Sequence, residues 1–201
     1  AARGYNALFV AFFDHWLRGS PAPELAPYTY YMLGADRWLE ADQWPPENSS
    51  PLDLALSSDA VFAHSGRLLE PAQVPRNGTV HYIADPADPV PALGGATCCT
   101  NDPQIIEGPA YQNAVEGRPG VVTFTSAPLT QPLRIAGPVS AVLHLSSDAP
   151  DADIVARISD VDSEGRSLMI QEGALRLRYR ESFTDPALME PWVPAEATIP
   201  M

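Results

Sequence analysis

Residues 174–180 read ALRLRYR. Leu175, Leu177 and Tyr179 alternate with Arg176, Arg178 and Arg180, the period-two signature of a strand with one face on a core and the other in water. The same period recurs toward the N-terminus. It predicts strands at Tyr28–Leu33, Leu52–Leu56, Thr79–Ile83, Val121–Ser126, Leu133–Ala136, Ala141–Ser147, Ile154–Val161 and Ser167–Ile170, with Ala174–Tyr179 the clearest. The closing EATIPM (196–201) reads as the start of one more. Twenty-two prolines and 13 glycines fill the gaps and argue against further long helices. Asn77-Gly78 is a hairpin-type turn signal. Many short strands separated by turns predict a mainly β fold, a β-sandwich or jelly roll.

The first 19 residues break this pattern. Leu8, Phe9, Phe12, Phe13, Trp16 and Leu17 recur at helical spacing and form one aromatic face. Gly19 and Pro21 stop the helix. Six such side chains are worth roughly 1.5–3 kcal/mol each when buried, so the face is expected to pack on something substantial. The expected organisation is a terminal helix over 1–19, a Pro-rich linker over 20–27 and a β domain over 28–201.

Bulk properties narrow the function. The 201-residue chain is 45% hydrophobic, enough to bury a core. Its formal net charge is −13, and all 12 basic residues are Arg, with no basic stripe. Nucleic acid and anionic membrane surfaces are therefore excluded as expected partners, and no apolar run approaches the roughly 20 residues of a membrane span. The only two cysteines, Cys98 and Cys99, are adjacent. They make no disulfide framework and lack the second pair a zinc site needs. Two free thiols in a loop is the plain reading and a vicinal redox pair the sharper one. No cofactor or metal is called for.

Candidate chemistry is sparse. No G-x-S-x-G elbow occurs; the nearest approaches are Ser65 in AHSGR and Ser167 in EGRSLM. His15, His64, His81 and His144 read as structural or surface residues. DVDSEG (160–165) opens like a calcium loop, but its twelfth position is Gln171 and its flanks are strands, so a hairpin turn with solvated acids is expected. SSDAPDADI (146–154) reads as a second acidic turn whose Asp side chains bind backbone N–H groups. Asn48-Ser49-Ser50 and Asn77-Gly78-Thr79 match the glycosylation sequon. Tyr28, Tyr30, Tyr31, Trp38 and Trp44 supply aromatic surface that suits a core, a domain interface or a ligand platform. Residues 84–120 form a long stretch rich in Pro, Gly and Asp, the kind that covers a site or an interface.

Taken in order, FFDHWLRG (12–19), MLGADRWLEADQWPP (32–46), ADPADPVPALGG (84–95), VEGRPGVVTFTSAPL (115–129) and the run GPVSAVLHLSSDAPDADIVARISDVDSEGRSLMIQEGALRLRYR (137–180) resemble the C-terminal part of the cocaine esterase / X-Pro dipeptidyl-peptidase family of serine hydrolases. That family includes α-amino acid ester hydrolases and glutaryl acylases. The resemblance runs from about residue 8 to 201. It implies an α/β-hydrolase domain with a Ser–His–Asp triad and a helical cap, followed by a jelly roll similar to galactose-binding modules. The opening helix would then be the last helix of the hydrolase domain. The triad would lie before Ala1, and both ends of the chain would be cut from something longer.

The family usually carries Gly-Pro-x-Asp-Gln-Arg where this chain has Gly108-Pro109-Ala110-Tyr111-Gln112-Asn113, so Tyr111 and Asn113 replace an acid and a base. The expected partners are the chain's own hydrolase domain and a small ester or peptide substrate. The residues expected at the pocket rim or domain interface are Gly94, Gly95, Cys98, Cys99 and Tyr111. The rival expectations are a non-catalytic carbohydrate- or ligand-binding jelly roll, and a remnant that forms homo-oligomers through the helix.

Overall fold

The computed structural model describes residues 4–58, 64–74, 78–97 and 102–201. The chain divides into two compact units, Ala1–Pro51 with Arg134–Gly137, and Leu52–Leu133 with Pro138–Met201.

The first unit holds the helix α1 (Tyr5–Arg18) and a two-stranded ribbon, β1 (Tyr28–Met32) and β2 (Arg37–Ala41). The helix ends as its sequence dictates. Gly19 sits in the left-handed region at φ 69°, its N–H donates to His15 O at 3.1 Å, and Ser20 N–H donates to Asp14 O at 3.2 Å. This αL closure satisfies carbonyls the helix would otherwise leave open. His15 Nδ1 lies 2.8 Å from Ser20 O, a structural use of that histidine. No residue of α1 is buried. The ribbon is an antiparallel hairpin turned at Leu33–Asp36, and its Tyr31 and Trp38 face each other across the ladder with ring centroids 5.3 Å apart. Trp44 stacks near Tyr28 at 6.2 Å and meets Tyr30 edge-on at 5.2 Å.

The second unit is mainly β. Its strands are β3 (Ala55–Ser57), β4 (Ser65–Leu69), β5 (Thr123–Thr125), β6 (Ser140–Leu145), β7 (Asp153–Val161), β8 (Ser167–Arg176) and β9 (Ala195–Pro200). β3 pairs antiparallel with β4, and β4 parallel with β5; β6 pairs antiparallel with β9, and β7 with β8. Leu175, Leu177, Met189, Ala197 and Ile199 form the buried core, with Leu143, Leu145, Ile154 and Ala156 packed against it. Leu177 and Ile199 are wholly buried, each worth about 1.5–3 kcal/mol.

Several expected strands differ in extent. The two expected at Ser167–Ile170 and Ala174–Tyr179 are one strand, β8, interrupted by a bulge: Ile158 pairs with Gln171 and Ser159 with Met169, so Ile170 is the extra residue. The ladder ends at Arg176. Leu177–Tyr179 curls into a 3-10 turn closed by Arg180 N–H on Leu177 O at 3.1 Å, while Leu177 N–H reaches Ala152 O at 2.9 Å. The alternation of ALRLRYR thus places Leu175 and Leu177 in the core although only its first half is strand. In place of Leu52–Leu56 stands the shorter β3, shifted toward the C-terminus at Ala55–Ser57. Thr79–Ile83 and Leu133–Ala136 are not strands; Ile83, Leu133 and Ile135 are exposed, and a period-two pattern makes no strand without a ladder partner. β2 and β4 are additional to the expected strands. Asn77 of the expected turn lies outside the described residues. Within 84–120 the only helix among the described residues is α2 (Asn113–Glu116).

Candidate functional site

Two isolated bridges organise the described parts of the long segment 84–120, one closing the segment on itself and one tying it to β8 of the β7–β8 hairpin. Gly95 pairs with Gly108, and Tyr111 with Leu168. The first bridge is a complete antiparallel pair: Gly95 N–H donates to Gly108 O at 2.9 Å and Gly108 N–H to Gly95 O at 3.0 Å. Glycine is required on this crossing. Gly94 (φ 74°) is buried, and a Cβ there would lie 2.3 Å from Gly108 O and 2.7 Å from Ala110 Cβ. At Gly95 (φ 92°) a Cβ would lie 2.1 Å from Glu172 Oε1. Both φ values disfavour any L side chain.

Under the crossing lies Gln112, only 2% exposed. Its Nε2 donates to Leu93 O at 2.9 Å and Ala110 O at 3.0 Å, and its Oε1 accepts from Arg157 Nη1 at 2.9 Å. Arg157 Nε in turn donates to Glu172 Oε2 at 2.7 Å. Arg157 and Glu172 are register partners on β7 and β8. Every polar atom of the Gln112 amide is thereby used, as a buried amide requires. Gln112 N–H also donates to Ser167 O at 2.8 Å.

The neighbouring contacts hold the rest of the segment. Asn113 Oδ1 accepts from Ser167 N–H at 2.9 Å and its Nδ2 donates to Gly165 O at 2.8 Å. Arg118 Nη2 donates to Asp88 Oδ1 at 2.5 Å and to Asp88 O at 3.2 Å. Tyr111 projects outward, half exposed, with the Arg166 guanidinium 5.9 Å from its ring centroid.

Of the residues expected at a rim, the structure brings Gly94 and Gly95 together and places Tyr111 next to Gln112 on the same segment. Cys98 and Cys99 lie outside the described residues. Gln112, Arg157 and Glu172 were not among the residues expected at the site. Arg157 and Glu172 carry no local motif. Gln112 stands in the middle of GPAYQN, between the two substituted positions, and that place is the one signal that could have found it.

The other candidates resolve into structure. Ser167 is 2% exposed in β8, and its hydroxyl donates to Glu116 Oε1 at 2.5 Å. The DVDSEG stretch is the β7–β8 turn: Asp162 accepts Glu164 N–H at 2.9 Å, Arg166 N–H at 3.0 Å and Arg166 Nε at 2.7 Å. Hydrogen bonds from the Arg166 backbone and side chain hold its carboxyl below the ordinary 3.8. In the second acidic turn, Asp151 accepts Arg178 N–H at 3.0 Å and Arg178 Nε at 2.6 Å. Asp153 pairs with Arg176, whose side-chain hydrogen bonds lower the aspartate's pKa. Among the described residues no cluster of three or more His, Cys, Asp or Glu could hold a metal ion, and no helix is long and apolar enough to cross a membrane.

Comparison with known proteins agrees with the sequence motifs. The family model described as the X-Pro dipeptidyl-peptidase C-terminal non-catalytic domain matches residues 23–200. The cocaine esterase of Rhodococcus sp. (strain MB1 Bresler) is 34% identical over 189 residues, which are 92% of this chain and 32% of the esterase. A putative serine esterase of Mycobacterium bovis is 27% identical over 185 residues, 90% of this chain and 28% of that protein. Among solved structures, an aminopeptidase from a marine sediment Thaumarchaeota archaeon superposes with a TM-score of 0.74 at 28% identity, over 97% of this chain and 33% of that one. A selenomethionine-labelled α-amino acid ester hydrolase gives 0.70 at 27%, over 96% and 33%. The chain thus spans about a third of the length of the relatives it matches.

Proposed function

Because this chain belongs to the X-Pro dipeptidyl-peptidase C-terminal non-catalytic domain family, we propose that it is the C-terminal domain of a serine hydrolase acting on esters or amides. It folds as a galactose-binding-like jelly roll and supports the catalytic domain. The Gly94–Gly95 crossing, with Tyr111 beside it, lies at the rim of that domain's substrate pocket. The acyl transfer itself, through a serine nucleophile with a histidine base and an oxyanion hole, belongs to the part of the parent that precedes this chain.

One observation carries the reading: the family match begins at residue 23, just after a helix whose Phe9, Phe12, Phe13, Trp16 and Leu17 are all 49–78% exposed. A face of that size is costly to leave in water. The hydrolase domain of a relative three times as long is the partner that would cover it.

The test is to read the frame upstream of the Ala1 codon, express the whole product, and assay it against aryl esters and X-Pro anilides. Hydrolysis, with a fluorophosphonate labelling a serine outside residues 1–201, is expected. A start codon immediately before Ala1, or a full-length product inert on every substrate, overturns the reading. The ribbon favours a second reading: Tyr28, Tyr31 and Trp44 are 36–44% exposed, and stacking aromatics suit a sugar face. Retention of the chain on a glycan column would support a carbohydrate-binding module instead.

A further inference from the structure

The Gln112 site contains more polar chemistry than the packing of a small loop requires. A buried amide is costly unless every donor and acceptor is matched, and an apolar residue of the same volume would fill the space without that cost. The matched groups are specific. Both Nε2 donors of Gln112 close on main-chain carbonyls, Leu93 O on the incoming limb of the segment and Ala110 O on the returning limb. Its Oε1 is held by Arg157, itself fixed by Glu172. Glu172 also walls the crossing, since its Oε1 occupies the place a Cβ on Gly95 would need. One chain of contacts therefore runs from a rigid cross-strand ion pair, through one amide, to both limbs of the crossing.

We infer that Gln112, clamped by the Arg157–Glu172 pair, is a positioning residue that sets where the Gly94–Gly95 crossing stands, and thereby tunes which substrates the parent hydrolase accepts. This rests on the proposed rim role of that crossing. Gln112 touches no substrate; it acts through Leu93 and Ala110. An amide in this place fixes direction as well as distance, because its two donors and one acceptor allow a single orientation. A displaced rim that meets only the bulky part of a substrate changes uniform binding, which is read as a change in KM with kcat held.

The experiment uses the full-length hydrolase and a series of esters that share a leaving group and differ in acyl bulk. Gln112→Met removes the amide at similar volume, and Gly95→Ala pushes the crossing directly against Glu172. Ile199→Val, in the separate core cluster, controls for lost stability. The expected result is that Gln112→Met and Gly95→Ala each change the ratio of KM values between bulky and small acyl esters by about five- to tenfold. In Gln112→Met, kcat on the small ester should stay within about twofold, and Ile199→Val should move the melting temperature alone.

If Gln112→Met does not fold, Glu172→Gln, which keeps the shape and weakens the clamp, is read the same way with a smaller change expected. Unchanged KM ratios in Gln112→Met and Glu172→Gln, with a changed ratio in Gly95→Ala, would overturn the positioning role and leave the rim standing. Unchanged ratios in all three would overturn the rim and the inference together.

Discussion

At the scale of single residues, charged side chains here serve as turn and strand-end fasteners. Asp151 shows the pattern. Burial works against its charge, but hydrogen bonds from the Arg178 side chain and backbone outweigh that effect, and its carboxyl titrates below the ordinary 3.8. A carboxylate whose folded pKa is depressed contributes stability above its unfolded pKa and loses it as pH falls through the folded value. Asp151→Asn keeps an acceptor for the Arg178 N–H but discards the charge facing Arg178 Nε. It is expected to cost about 1 kcal/mol at pH 7, the part-exposed pair being worth less than a fully buried one. Urea melts should show the two proteins converging as pH drops below 3.8. A gap that persists undiminished at low pH would mean that packing, not charge, sets the cost. Arg176 and Arg178 were legible in ALRLRYR as the wet face of a strand; their acidic partners were not, because pairing with the 146–154 turn is a contact between residues distant in sequence.

At the scale of elements, two glycines separate local strain from tertiary crowding. Gly19 caps α1 at φ 69° with no atom within 4 Å of an added Cβ, so Gly19→Ala costs only backbone strain, about 1 kcal/mol. Gly173 in β8 has ordinary backbone, but a Cβ there would come within 1.9 Å of Pro200 O in β9. That is a main-chain atom with nowhere to go, and Gly173→Ala is expected to cost about 3 kcal/mol or more. Thermal melts of the two variants should rank them in that order; equal losses would contradict the close β8–β9 approach. Only one of the two was visible in advance. Gly19 followed by Pro21 is a local stop signal, whereas Gly173 is one more glycine until β9 lies against it. The ribbon teaches the same lesson. Tyr28–Met32 announced itself by its aromatics, while Arg37–Ala41, with charges at both faces, became a strand because β1 offered it a ladder.

At the scale of the whole molecule, the exposed aromatic face of α1 sets how the chain behaves in water. The 201-residue chain by itself is expected to associate through it at micromolar concentration, and Phe12→Asp with Trp16→Asp is expected to return it to a monomer. Light scattering on both decides; a wild-type chain that stays monomeric would show that the face is tolerated in water. The amino-acid sequence alone determined the mainly β character, the helix and its stop at Gly19, and the family, since these rest on periodicity, turn residues and an ordered set of motifs. It also marked the 84–120 segment as the place to look. Only the tertiary structure decided that Gln112 is the centre of that segment, that β8 is one bulged strand and that ALRLRYR leaves the ladder at Arg176. Periodicity records which face a residue presents to its own element. Hydrogen-bond partners brought together from residues 93, 110, 112, 157 and 172 exist only once the chain has folded them side by side.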